Sequence, residues 1–281
     1  MRLCTSVEEV RSFVKSVRSE GKTVGLVPTM GYLHAGHLSL MHEAKRRCDV
    51  VVISIFVNPA QFGPGEDYQT YPRDLQRDAG LVNDVGVDAI FAPAAAEMYP
   101  PGFSTFVDVA GVSEPLCGAS RPGHFRGVAT VVTKLFNIVR PDMAFFGRKD
   151  FQQVLMIKRL VEDLNLDIQI VDVAIVREED GLALSSRNVY LSAEERTAAL
   201  VLSRSLNLAR QRVAGGERDM ARLKDVVVKE IRSEPRADIA YVEVLSLPDL
   251  RPMDLLEDKA LLALAVRFGK TRLIDNTVLE A

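Results

Sequence analysis

Residues 50–57 read Val-Val-Val-Ile-Ser-Ile-Phe-Val, an apolar and largely β-branched run without polar alternation. Such a run fits a strand covered on both faces, the environment of a parallel sheet flanked by helices. Its surroundings repeat the theme. Residues 23–27, 89–91, 143–146 and 167–171 are further strand candidates. Helical spacing fills the gaps: Leu38, Met41 and Ala44 after the first strand, then 73–85, then 128–139 stopping before Pro141. A last helix over 150–164 carries apolar residues at 151, 154, 155, 157 and 160. This β-α repetition predicts an α/β fold, a doubly wound, Rossmann-like parallel sheet with ligands at the carboxyl ends of its strands.

The pattern changes near residue 176. Glu178-Glu179-Asp180-Gly181 is a turn, and Ser192-Ala193-Glu194-Glu195 is a capping box that opens a helix reaching about 213. Gly215-Gly216 ends it, a second helix covers 218–232, and strands follow at 239–245, 260–267 and 271–275. Helices grouped before strands predict a smaller α+β unit with an antiparallel sheet. The boundary falls at 176–185, giving domains 1–176 and 177–281, with Ser185-Ser186-Arg187 at the junction.

Composition narrows the classes of function. With 281 residues and 47% hydrophobic content, the chain can bury a full core. Thirty-five basic residues against 38 acidic ones leave a net charge of −3, without the basic excess of a nucleic-acid binder. Cys4, Cys48 and Cys117 are few, odd in number and far apart, which suits a reducing compartment rather than a disulfide framework. Glu8, Glu9 and Arg11 leave no signal-peptide core near residue 1, and no apolar run is long enough to span a bilayer. The expectation is a soluble cytoplasmic protein with neither nucleic-acid nor membrane partners.

Three of the four histidines, His34, His37 and His42, lie within nine residues, in Pro28-Thr29-Met30-Gly31-Tyr32-Leu33-His34-Ala35-Gly36-His37 and onward. His34 and His37 are placed at i and i+3 across the first turn of a helix, on one face. Unpaired N–H groups and a partial positive charge of roughly half a unit gather there and attract anions. Gly31 and Gly36 allow close backbone approach, so the segment has the makings of a phosphate site. A metal pair or two surface histidines are the alternatives. Zinc needs a third or fourth ligand, and no Cys-x-x-Cys or second histidine cluster offers one, so no protein metal site is assigned. No Gly-x-x-x-x-Gly-Lys-Ser/Thr string is present either.

The His-Ala-Gly-His string resembles the HxGH signature of class I aminoacyl-tRNA synthetases and related nucleotidyltransferases. Longer strings narrow the resemblance: PTMGYLHAGHLSL (28–40), SIFVNPAQF (54–62), RPGHFRGVATVV (121–132), FFGRKDFQQ (145–153) and LSSRNVYLS (184–192) are together similar to the pantoate–β-alanine ligase family, in the family's order along the chain. Arg148 stands where that family usually carries an acidic residue.

The resemblance implies an AMP-forming ligase that joins pantoate to β-alanine through a pantoyl adenylate, with ATP as substrate, Mg2+ accompanying it, and a homodimer. It makes His34, His37 and Lys149 the catalytic groups. ATP would be bound by Met30, Gly31, His34, His37, Gly147, Arg148, Lys149, Asp150, Val176, Leu184, Ser185, Ser186 and Arg187. Gln61 and Gln153 would hold pantoate, since amides supply both donors and acceptors for hydroxyl and carboxylate groups, and Gln61 would also meet β-alanine. Asn58 is equally suited to binding ligand or capping a helix. His124 and Arg126, in the glycine-rich 121–127 loop, receive no role. Nucleotidyl transfer to a phosphate and a nucleotide sensor without turnover are the competing readings. The first would yield a dinucleotide and leave the glutamines without work; the second would not need Lys149 at an α-phosphate.

Overall fold

A computed structural model describes residues 1–281. The chain divides into two compact units. The first comprises residues 1–113, 121–148 and 152–174, and the second 114–120, 149–151 and 175–281. Their elements, in chain order, are β1 (Arg2–Cys4), α1 (Val7–Ser19), β2 (Val24–Thr29), α2 (Ala35–Arg47), β3 (Val50–Ile55), α3 (Leu75–Val85), β4 (Ala89–Phe91), α4 (Ala95–Met98), α5 (Cys117–Ser120), α6 (His124–Val139), β5 (Met143–Gly147), α7 (Phe151–Asp163) and β6 (Gln169–Val173). Then come α8 (Ala193–Ala198), α9 (Val201–Ala214), α10 (Met220–Arg232), β7 (Ala237–Ser246), β8 (Lys259–Phe268) and β9 (Thr271–Glu280).

The first unit is a six-stranded sheet in the order β1-β4-β3-β2-β5-β6, parallel at every pairing. Val50 to Ser54 of β3 are buried without alternation, as a central parallel strand requires. The strand stops at Ile55 rather than Val57, because its ladder with β2 ends at the Thr29–Ile55 pair. The chain runs from β2 towards β3 on one side and from β5 towards β6 on the other. The switch point of this doubly wound sheet therefore lies at β2 and β5, whose carboxyl ends border the crevice where such folds bind ligands.

The second unit is a three-stranded antiparallel sheet in the order β7-β8-β9, with long and nearly unbroken registers. Leu202, Leu206, Leu223, Val227 and Ile231 from α9 and α10 bury against Leu262, Leu264 and Val266 of β8.

Boundaries differ from the sequence reading where packing overrides local preference. α6 begins at His124, four residues early, so His124 and Arg126 sit on its first turn and not in a loop. Position 127 of this helix is a glycine because a Cβ there would lie 2.1 Å from the Ala60 carbonyl oxygen. The helix opened by the Ser192–Glu195 capping box divides into α8 and α9. β6 starts at residue 169 rather than 167.

Candidate active site

The loop between β2 and α2 is built to present two imidazoles. Gly31 (φ +84°) and Tyr32 (φ +48°) take left-handed conformations that swing the chain from strand to helix. His34 is the N-cap of α2, one residue before the expected first turn, and its Nδ1 accepts the Gly36 N–H at 3.1 Å. His37, three residues on, reaches back so that its Nδ1 accepts the His34 N–H at 3.3 Å. This is a reciprocal capping box made of two histidines instead of the usual hydroxyl and carboxamide or carboxylate. The rings lie 4.1 Å apart, tilted by 43°. An Nδ1 that accepts carries no proton, so each neutral ring holds its proton on Nε2. Both rings thus carry donors at a helix N-terminus that favours anions.

Gln61 lies in a short 3-10 turn, Pro59–Gln61, after β3. Its Oε1 accepts from Asn58 Nδ2 at 3.0 Å, and its Nε2 points to Met30 Sδ at 3.2 Å. Asn58, almost fully buried, spends every polar atom inside the protein. Oδ1 accepts from the Ala60 N–H at 3.3 Å and the Tyr99 hydroxyl at 2.7 Å, while Nδ2 also donates to Gly127 O at 3.1 Å. Of the two roles open to Asn58, the structure gives it the cap, and with it the orientation of Gln61. Burial pushes the Tyr99 hydroxyl up to about 12, so it remains a donor at neutral pH.

The backbone of Gln61 is held from the other side. His124 Nδ1 meets Gln61 O at 2.9 Å, and Arg121 lies 3.1 Å from His124 Nε2. Arginine can only donate, so His124 Nε2 is the acceptor and the ring proton is on Nδ1. Arg121 also grips Glu66 with two nitrogens at 2.6 and 2.7 Å. Burial works to raise the Glu66 carboxyl, but the Arg121 guanidinium outweighs it and holds the group below its usual range. This buttress was invisible in the sequence because its members lie about 60 residues apart.

Beyond β5 the chain forms a 3-10 turn, Arg148–Asp150, and then α7. Gly147 closes β5 opposite Val173 and has open space where a Cβ would stand. Arg148 reaches sideways to Asp172 of β6 at 2.5 Å, and Lys158 binds the other oxygen of the same carboxylate at 2.5 Å. Burial would raise Asp172, but these two cations prevail and keep it below the usual carboxylate range. Arg148 therefore completes a structural ion triad, a use the sequence did not suggest. In α7, Gln152 is buried and donates to Val112 O at 3.0 Å, whereas Gln153 stays half-buried at the first turn.

In the second unit, Lys149 has a side chain 20% exposed, with Nζ 3.8 Å from Asp150, and its carbonyl accepts from Asn276 Nδ2 at 2.8 Å. Val176 O accepts the Leu184 N–H at 3.0 Å, closing the 178–181 turn into a small hairpin. Arg177 anchors that hairpin to β9 through a two-pronged pair with buried Asp275 at 2.6 and 2.8 Å. Ser185 then caps the 3-10 turn Ser186–Tyr190 by accepting the Arg187 N–H at 3.3 Å. Asn188 braces the turn by donating to Glu178 at 3.1 Å and to Ala183 O at 3.2 Å.

A doubly wound sheet with paired imidazoles at a helix N-terminus beside its switch point defines a class of α/β protein that handles phosphate groups. The chain belongs to the pantoate-beta-alanine ligase family, whose model matches residues 2–278. Pantothenate synthetase from Pelotomaculum thermopropionicum is 61% identical over 279 residues, 99% of each chain. That from Heliobacterium modesticaldum is 59% identical over the whole of both chains. Among solved structures, pantothenate synthetase from Thermus thermophilus superposes with a TM-score of 0.94 at 47% identity, covering 99% of both chains. The Francisella tularensis pantoate-beta-alanine ligase, complexed with beta-gamma ATP and beta-alanine, gives 0.81 at 34% identity, covering 99% of this chain and 97% of that one.

Proposed function

We propose that this chain condenses (R)-pantoate with β-alanine to give pantothenate, at the expense of ATP, through a pantoyl adenylate and with release of AMP and pyrophosphate. The reaction belongs to pantothenate and coenzyme A biosynthesis. The observation that carries this reading is the reciprocal imidazole cap at His34 and His37, in a chain whose family match runs from residue 2 to 278.

The pantoate carboxylate is already an anion, so the first step needs no strong base. The difficulty is to bring it to a polyanion and to steady charge on phosphoryl oxygens, a task of positioning and electrostatics. His34 and His37 donate through Nε2 to the phosphates, and His37 supplies a hydrogen bond to the departing pyrophosphate oxygen. Lys149 serves the α-phosphate and the attacking carboxylate. Two unit charges about 4 Å apart interact by roughly 4 kcal/mol at an effective dielectric near 20, enough to change a rate by orders of magnitude. Met30, Gly31, Gly147, Asp150, Val176 and Leu184 line the nucleotide, and Ser185, Ser186 and Arg187 add donors to its phosphates. Gln61 and Gln153 hold pantoate. The β-alanine amine, beside Gln61, then attacks the acyl carbon of the adenylate and AMP leaves.

In this reading residues 1–176 form the nucleotide- and pantoate-binding domain and 177–281 the smaller α+β C-terminal domain. Mg2+ arrives on the ATP phosphates in this reading, as is usual for a hard cation that binds through substrate phosphates. The working form is a cytoplasmic homodimer. No helix is long and apolar enough to cross a membrane.

The test is exchange of labelled pyrophosphate into ATP with pantoate present and β-alanine omitted. Pantoate-dependent exchange is expected; an absolute requirement for β-alanine would exclude a free-standing adenylate step.

A further inference from the structure

We infer that Asp78 and Arg77, on α3, are positioning residues for the histidine pair, an inference that deepens the proposed function and rests on it for its kinetic arm. Asp78 is an aspartate with 1% exposure, projecting from a helix that the sequence gives no reason to connect with phosphate chemistry. Its Oδ2 accepts the Tyr32 N–H at 2.7 Å and its Oδ1 the Leu33 N–H at 2.8 Å. These are the two N–H groups that the left-handed Gly31 and Tyr32 turn towards one point, an anion-binding concavity filled from within by a carboxylate. Arg77 closes the other side. It donates to Leu33 O at 2.9 Å and to Asp78 at 3.2 Å, and its guanidinium lies 4.8 Å from the centre of the Tyr32 ring.

The consequence runs along the backbone. Thr29 Oγ1 donates to Ser54 O at 2.7 Å and accepts the Gly31 N–H at 3.2 Å. Asp78 takes the next two N–H groups, His37 takes that of His34, and His34 takes that of Gly36. Almost every donor between β2 and α2 is thus assigned to a named acceptor, and only Asp78 comes from outside the segment and its neighbouring strand. Tyr32 is a bulky residue in a conformation that L side chains disfavour. Without Asp78 to hold its N–H, the loop would relax towards ordinary backbone angles, and the N-cap residue His34 would move with it. Gly31 cannot compensate by substitution, since a Cβ there would lie 3.0 Å from Asp78 Oδ2 and 2.9 Å from Ile55 Cγ2. Burial pushes the Asp78 carboxyl up from its ordinary value, while the Leu33 and Tyr32 N–H groups and Arg77 pull the other way.

The test combines spectroscopy with kinetics on Asp78→Asn, in the full chain labelled with 15N-histidine. An asparagine can accept only one of the two N–H groups and turns its amide against the other. Wild-type His34 and His37 should each give the long-range 1H–15N pattern of a single Nε2–H tautomer. In Asp78→Asn at least one ring should shift towards the tautomer mixture of a free imidazole, with kcat reduced at least 10-fold and the KM for β-alanine changed less than threefold. Unchanged ring patterns, whether or not kcat falls, would overturn the inference. Altered rings with kcat preserved would uphold the clamp and instead remove His34 and His37 from the proposed chemistry. Should Asp78→Asn fail to fold, Arg77→Met leaves Asp78 in place and removes only the grip on Leu33 O and Tyr32. It should show the same ring shift with kcat down at least threefold.

Discussion

His37 Nδ1 accepts the backbone N–H of His34 at 3.3 Å. This one bond joins the local folding of α2 to the chemistry proposed for it, because it caps the helix and fixes which ring nitrogen carries the proton. The two functions are separable by substitution. Glutamine is a natural third residue of a capping box, able to accept the same N–H but lacking the imidazole Nε2–H donor. His37→Gln should therefore retain the wild-type fold, with Tm within a few degrees, while pantoate-dependent pyrophosphate exchange falls by at least ~100-fold, about 2.7 kcal/mol. Thermal unfolding and exchange measured on one preparation check this. A large loss of Tm would show that the cap needs imidazole.

Lys149→Ala removes an ammonium group while leaving the backbone carbonyl that Asn276 binds at 2.8 Å. The local turn should persist, and adenylate formation should fall by at least ~100-fold, or ~2.7 kcal/mol. Single-turnover kinetics with pantoate and ATP read this directly. Near-normal rates would remove Lys149 from the reaction.

Gln153→Ala should raise the KM for pantoate and leave that for ATP nearly unchanged, because an amide at the first turn of α7 is assigned to hydroxyl and carboxylate recognition. Initial rates with each substrate varied in turn decide it. A loss confined to ATP affinity would reassign the residue.

Arg148 and Lys158 share the Asp172 carboxylate, and the folded state holds that group below its ordinary value. The sign follows from linkage. A carboxyl with a depressed folded value adds stability that is fully present above the unfolded value, about 3.9, and is lost as pH falls through the lower folded one. Asp172→Asn should lower stability at pH 7 and narrow its deficit against wild type below pH ~4. Arg148→Glu places a carboxylate against Asp172 and should lower Tm while shifting the KM for ATP less than about threefold, in keeping with the weak coupling of half-exposed charges. Denaturation across pH, with ATP kinetics alongside, tests both.

Two glycines in helices give opposite expectations. Gly127→Ala forces a Cβ to 2.1 Å from the Ala60 carbonyl oxygen and 2.6 Å from Gln61 Cα, so α6 and the Gln61 turn must separate. Destabilisation of about 1–3 kcal/mol is expected from such overpacking, with a raised KM for pantoate. Gly80 of α3 is exposed and has nothing within 4 Å of a Cβ, so Gly80→Ala should stabilise by about 0.4–1 kcal/mol. Chemical denaturation of both variants measures the contrast.

The chain's local periodicities determined the parallel sheet, the antiparallel one and the place of the histidine pair. Burial on both faces marks Val50–Ser54 whatever the strand touches, and a capping box such as Ser192–Glu195 closes within four residues. The division between α8 and α9 was not legible, because Ala198-Ala199-Leu200-Val201 contains no residue that breaks a helix. Nor was the start of α6, since Gly123 and Gly127 argue against a helix until Ala60 is seen lying against it.

Side-chain partnerships across long stretches of chain were decided by tertiary structure alone. Asn58 meets Tyr99 across 41 residues and Gly127 across 69, Tyr32 meets Asp78 across 46, and Arg148 meets Asp172 across 24. A hydrogen bond is short-ranged and directional, so its partner is set by which strands and helices come to lie side by side. Sequence spacing encodes which face of an element is buried. It does not encode what waits on the other side.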